Sequence, residues 1–293
     1  MGKKNLLKKI AIGTLSTLFG GYILLKGYFD PTFNRYNIIH PINSSNTGLV
    51  EIKKDNSDIY ALLINSGKND FWHDFVGDID SVYHTLRNSG VGSDNIYIID
   101  PLNPNRKGNN FPAEKKGLDS SIKELSSKIN QQDHFILYLT NHGGKSKKDP
   151  NAEAYITFDN GDTIKESELE EKVSMINPKN SLLVFTPCYS DAFAKRLGKG
   201  NVITIANTTS DKVAICYGIA PLANNFFPKL FDPSQYSKDI DLNNDGKISV
   251  EEAFIDTANS DWFSNPLSPW RNVYQLRYEK INPSTFSYVD QKR

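Results

Sequence analysis

His134-Phe-Ile-Leu-Tyr-Leu-Thr140 runs into Asn141-His142-Gly143-Gly144, and Ser181-Leu-Leu-Val-Phe-Thr186 runs into Pro187-Cys188-Tyr189-Ser190-Asp191. Each is a short apolar run bounded by turn residues, the pattern of a strand buried on both faces. Each stops at a reactive side chain. Active sites of open parallel sheets lie outside the carboxyl ends of the strands. A His-Gly after one strand and a Cys after another therefore predict a base and a thiol presented together.

The flanking sequence repeats the same alternation. Ile59–Ile64, Asn95–Asp100 and Asn201–Ala206 read as further buried strands. Phe71, Phe75, Ile79, Val82, Tyr83 and Leu86 fall at helical spacing within 71–89. Ser121-Ile-Lys-Glu124 reads as a capping box opening a helix to about Ile129, and Thr163-Ile-Lys-Glu166 as one opening a helix to about Met175. Tyr155–Phe158, Asn160-Gly161 and Thr163-Ile164 predict a small hairpin. Helices are also expected near Asp191–Leu197 and Ile219–Leu230. Strands alternating with helices imply an α/β fold with a mostly parallel sheet.

The chemistry follows from the two strand ends. A thiol attacks a carbonyl as thiolate, so it needs a nearby base that later protonates the leaving amine. His142 and Cys188 are the expected pair, with the Gly143 N–H and the Cys188 N–H as candidate oxyanion donors. His40, His73, His84 and His134 lack that strand-end setting and read as structural. The chain has two cysteines, which excludes a disulfide scaffold; Cys216, in Val213-Ala-Ile-Cys216, reads as a small buried apolar residue. With 34 basic and 34 acidic residues the formal net charge is zero, so nothing points to nucleic acid.

The N-terminus reads Met1-Gly-Lys-Lys-Asn-Leu-Leu-Lys-Lys9, then an uncharged stretch from Ile10 to Leu25. Residues 1–29 are expected to form a membrane anchor, with a cleaved signal segment as the alternative. The preceding lysines favour a cytoplasmic N-terminus and a catalytic domain outside the cytoplasm. Residues 30–56, rich in Asn, Ser and Pro, read as a linker.

Asp241-Leu-Asn-Asn-Asp-Gly-Lys-Ile-Ser-Val-Glu-Glu252 matches the EF-hand calcium template. Asp241, Asn243 and Asp245 take the first side-chain positions and Gly246 the sharp turn. Lys247 offers its carbonyl, Ser249 binds through water, and Glu252 is the bidentate acid. Calcium is thus the expected cofactor, and a structural role is expected for it.

The order apolar run–His-Gly, about 45 residues, apolar run–Cys resembles the caspase-like cysteine peptidase clan, and within it the legumain (asparaginyl endopeptidase) family, which includes the catalytic subunit of the glycosylphosphatidylinositol transamidase. Leu62-Leu-Ile-Asn-Ser-Gly67 and Tyr83-His-Thr-Leu86 resemble that family's first strand and helix. Asn201–Asn207 and Val213-Ala-Ile-Cys-Tyr217 resemble its strand and substrate-pocket segment after the nucleophile. The resemblance implies a caspase-like peptidase domain over residues 57–232, a peptide or protein substrate and a Cys188 thioester, followed by a C-terminal region, 233–293, that carries the calcium loop. Resolution of the thioester by an amine, as a transpeptidase does, and an inactive calcium-binding surface module are the alternatives. The family's pocket arginine falls here near Asp74 and its later pocket acid near Gly218. Asp74, Asp191 and Asp211 then suggest a pocket for Lys or Arg, although Asp at loop–helix junctions also serves as a cap.

Overall fold

The computed structural model describes residues 36–39, 50–52, 58–67, 74–102, 106–146, 148–149, 151–216, 218–232, 240–261, 272–280 and 286–288. The expected membrane segment at 1–29 lies outside these residues. Among the described residues no helix is long and apolar enough to cross a membrane.

The central element is an eight-stranded sheet. In chain order its strands are β1 (Tyr36–Ile39), β3 (Ile59–Asn65), β4 (Ile96–Ile99), β5 (Asn109–Phe111), β6 (His134–Thr140), β10 (Asn180–Phe185), β11 (Val202–Ala206) and β12 (Tyr274–Tyr278). Their spatial order is β1-β12-β11-β10-β6-β3-β4-β5. Every neighbouring pair is parallel except β11 with β12, which is antiparallel. The segment read as linker thus supplies β1 to the main sheet and β2 (Val50–Ile52), which pairs with β13 (Phe286–Tyr288).

Both faces of the sheet are covered, which is why its inner strands are apolar without alternation. Ile136, Tyr138, Leu182 and Val184 face one core, shared with Ile79, Val82, Phe227 and Phe254. Those partners come from α1 (Phe75–Asn88), α5 (Phe227–Phe231) and α6 (Val250–Ser260). Phe135, Leu137, Leu183 and Phe185 face the other, shared with Leu118, Ile122, Leu169 and Phe193. These belong to α2 (Lys115–Lys128), α3 (Glu166–Val173) and α4 (Ser190–Leu197).

Several boundaries differ from expectation. Helix α2 begins well before Ser121, whose hydroxyl donates back to the Leu118 carbonyl (2.8 Å) instead of capping. Thr163 lies in β9 (Thr163–Lys165), paired with β8 (Tyr155–Thr157), so α3 starts at Glu166. The hairpin gains a third strand, β7 (Gly143–Gly144), directly after His142. The expected 219–230 helix is a π-helical turn, Leu222–Phe226, running into α5.

The 241–252 loop is not shown to be an EF-hand. Asp241 accepts the N–H groups of Asp245 (3.1 Å) and Gly246 (2.8 Å), and Asp245 accepts that of Lys247 (2.9 Å). Gly246 has φ +81, as the turn requires. Glu252 accepts the N–H groups of Leu242 (2.9 Å), Asn243 (3.2 Å) and Ser249 (2.8 Å), and forms a capping box with Ser249 at the start of α6. Among the described residues, no three His, Cys, Asp or Glu side chains converge as a metal site. As placed, the loop is closed by its own hydrogen bonds.

Candidate active site

His142 and Cys188 leave neighbouring central strands in step. The last rung between β6 and β10 pairs Leu139 with Phe185, and the Thr186 N–H then donates to the Leu139 carbonyl (3.0 Å). His142 and Cys188 each lie three residues beyond that rung. The sheet therefore delivers both to the same edge, as the two strand endings predict.

The two turns meet at Gly143. A Cβ built there would lie 2.1 Å from the Cys188 carbonyl oxygen and 3.0 Å from the Cys188 nitrogen. Only glycine fits between the two turns. Cys188 is partly buried, and its Sγ lies 3.8 Å from the Ala214 carbonyl oxygen. Burial pushes the Cys188 thiol up from its ordinary pKa, while backbone hydrogen bonding at Ala214, then from Gly143 and from Cys188 itself, acts in the opposite direction. Amides that favour a negative sulfur also suit an oxyanion forming beside it.

Tyr189, immediately after Cys188, sits in the left-handed region with φ 62. That conformation costs a non-glycine residue about 1–2 kcal/mol, and the surrounding structure holds it there. The turn is pinned on both sides. The Tyr189 N–H donates to the Lys212 carbonyl (2.8 Å). Ser190, fully buried, donates to Asn207 Oδ1 (2.9 Å) and accepts the Thr208 N–H (3.2 Å). Strand, strained turn and helix together hold the thiol at the edge of the core.

The base side is built the same way. The His142 ring is exposed and meets Phe75 edge-on, with centroids 5.1 Å apart. Asn141 is buried; its Oδ1 accepts the His142 N–H (2.6 Å) and its Nδ2 donates to Ser66 Oγ and to the Thr157 carbonyl (2.7 Å). Asn141 therefore ties the base-bearing turn to the end of β3 and to the hairpin. A polar residue directly after a buried strand was the sequence signal for it.

The three candidate pocket acids separate. Asp74 caps α1 by accepting the Gly77 N–H (2.9 Å), and its own N–H donates to the Gly218 carbonyl (2.9 Å). It joins the start of α1 to the segment after Cys216. Asp211 is exposed in the turn beside Tyr189 and accepts from Thr209 Oγ1 (2.6 Å). Asp191 is buried and engaged by the Arg277 guanidinium at 2.5 and 2.9 Å. Its carboxylate ties α4 to β12.

One acid near the site escaped sequence reading. Asp78, fully buried on the core face of α1, accepts from Thr140 Oγ1 (2.6 Å), Tyr138 Oη (3.1 Å) and the Ala220 N–H (2.6 Å). It links the strand that carries His142 to the wall segment near 218–220. The signal was its position, three residues after Phe75 and four before Val82 on the apolar stripe.

A crystal structure of a Geobacter sulfurreducens protein matches the fold with a TM-score of 0.53 at 9% identity, covering 78% of this chain and 97% of that one. No curated protein matches the chain. The model of the peptidase C13 family, a family of cysteine peptidases, matches residues 108–260, a span that holds His142, Gly143 and Cys188. That span is more than half of the sequence, and the chain belongs to the peptidase C13 family.

Proposed function

We propose that the protein is an endopeptidase that cleaves peptide bonds through a thioester on Cys188. The observation that carries this is the in-step exit of His142 and Cys188 from β6 and β10, with Gly143 packed against the Cys188 backbone. His142 takes the thiol proton as Sγ attacks the substrate carbonyl. The Gly143 and Cys188 N–H groups receive the oxyanion. As the C–N bond breaks, His142 returns the proton to the leaving amine. Water, deprotonated by His142, then attacks the thioester and releases the acid and the free thiol.

The proposed primary pocket lies between the start of α1 and the wall segment after Ala214, and takes Asp74, which is tied to the Gly218 backbone, and the exposed Asp211 as its acids. Their charge supports a preference for Lys or Arg. An amine that takes the place of water at the thioester makes the same site a transpeptidase, and a cleavage assay with added amine separates the two outcomes. The Lys-rich start and the Ile10–Leu25 stretch support tethering to a membrane with this domain outside the cytoplasm. The spacing of the 241–252 loop supports calcium binding that stabilises the domain, once Glu252 is released from its backbone partners.

The test is turnover of a peptide library by Cys188→Ala, His142→Ala and the double variant. Each single change should abolish cleavage and the double change add little, because the groups act as one unit. Normal cleavage by Cys188→Ala overturns the reading.

A further inference from the structure

Asn272 lies just before β12, outside the family match and 57 residues from the segment it touches. It is 1% exposed. Its Oδ1 accepts the Ile215 N–H (2.9 Å) and its Nδ2 donates to the Ile215 carbonyl (2.6 Å). One planar amide thus holds both backbone groups of a single residue. That is possible only where the N–H and C=O of that residue point the same way, as in extended chain.

Peptide planarity fixes the rest. In a trans peptide the C=O of one residue points opposite to the N–H of the next. The Ala214 carbonyl must point away from Asn272, and so must the Cys216 N–H. The Cys188 thiol lies on that side, 3.8 Å from the Ala214 oxygen. The wall therefore turns an acceptor and a donor, two residues apart, toward the nucleophile. An extended peptide adds to such an edge through its own main-chain groups.

Asn272 is itself held. Its Nδ2 lies 3.3 Å from Asp261 Oδ2, which also accepts from Tyr274 Oη (2.8 Å). Asp261 follows the end of α6, so the C-terminal region orients the wall of the site.

Resting on the peptidase reading above, we propose that Asn272 is a positioning residue: by clamping Ile215 it aims the Ala214 C=O and Cys216 N–H at an extended substrate passing Cys188. It touches neither substrate nor reacting atoms. Its loss should weaken binding of substrates long enough to reach the wall far more than binding of short ones.

The experiment compares Asn272→Ala with the unaltered full chain on a single-residue amide and on a six-residue peptide ending in the same residue. KM for the long peptide should rise about tenfold, the size expected when two backbone hydrogen bonds lose alignment. Its kcat and the short amide's kcat/KM should change by less than about threefold. Tyr274→Phe, which removes one support of Asp261 without touching Ile215, should shift KM less. Melting curves show whether Asn272→Ala is folded; if it is not, Asn272→Asp, which keeps the oxygen facing the Ile215 N–H, carries the comparison. Equal losses on long and short substrates, or no rise in KM, overturn the proposal. If Cys188→Ala still cleaves both substrates, the peptidase reading fails instead.

Discussion

Gly143 sits against Cys188 so closely that a Cβ at residue 143 would lie 2.1 Å from the Cys188 carbonyl oxygen. Gly143→Ala must push the two turns apart and move a proposed oxyanion donor. Loss of one such donor costs about 10²–10³ in kcat. Gly143→Ala is expected to lose at least about a hundredfold in kcat while its circular dichroism spectrum stays native. Full activity would remove Gly143 from the machinery.

The buried thiol sets a pH dependence. Burial raises the Cys188 pKa, so the neutral thiol persists to higher pH than in a free cysteine. The reactive thiolate accumulates as pH rises. Iodoacetamide alkylation of the resting enzyme should therefore keep accelerating above about pH 8.5, where a free cysteine is half ionised. A rate already at its plateau by neutral pH would mean that a partner holds Cys188 as thiolate.

Asp191 and Arg277 test the separation of fold from pocket. Their side chains are 6% and 19% exposed, and the contact is two-pronged. Removing one partner of a buried pair typically costs about 3–5 kcal/mol. Arg277→Ala should lower the melting temperature by several degrees, and Asp191→Asn should destabilise without changing residue preference at the cleavage site. The double variant should cost less than the sum of the two single changes. A changed cleavage preference in Asp191→Asn would return that residue to the pocket.

Calcium, if the 241–252 loop binds it, should act on stability. Binding to the folded form alone adds RT ln(1 + [L]/Kd), about 2.7 kcal/mol at a hundredfold excess over Kd. Chelator should lower the melting temperature, and Glu252→Gln should abolish that calcium-dependent difference, over and above the capping contacts it also weakens. Magnesium should substitute poorly, since it demands a tighter octahedral shell. A melting temperature indifferent to chelator would exclude the site.

What the sequence made legible was local. His142 and Cys188 stand out because buried parallel strands are apolar throughout, and the first reactive side chain after each marks the carboxyl edge. The contacts that complete the site were not legible, because they join distant segments: Arg277 reaches Asp191 across 86 residues, and Asn272 reaches Ile215 across 57. Helix α2 was expected to start too late, since Lys115, Lys116 and Gly117 carry no apolar period, although Gly117 is buried against the Pro112 backbone. The 241–252 loop shows the converse. Its spacing is that of a calcium loop, yet the same acids cap a helix and tie off turns, and composition alone does not distinguish the two uses.

The most direct test of the account is trapping of the acyl-enzyme. A peptide ester carrying Lys or Arg at the scissile position is mixed with the full chain, quenched in acid within the first turnover, and digested for mass spectrometry. The account predicts an acyl adduct on the peptide containing Cys188, absent in Cys188→Ala and strongly reduced in His142→Ala, with Cys216 unmodified. Cleavage of the ester with no adduct on Cys188, or an adduct on Cys216 instead, would contradict it.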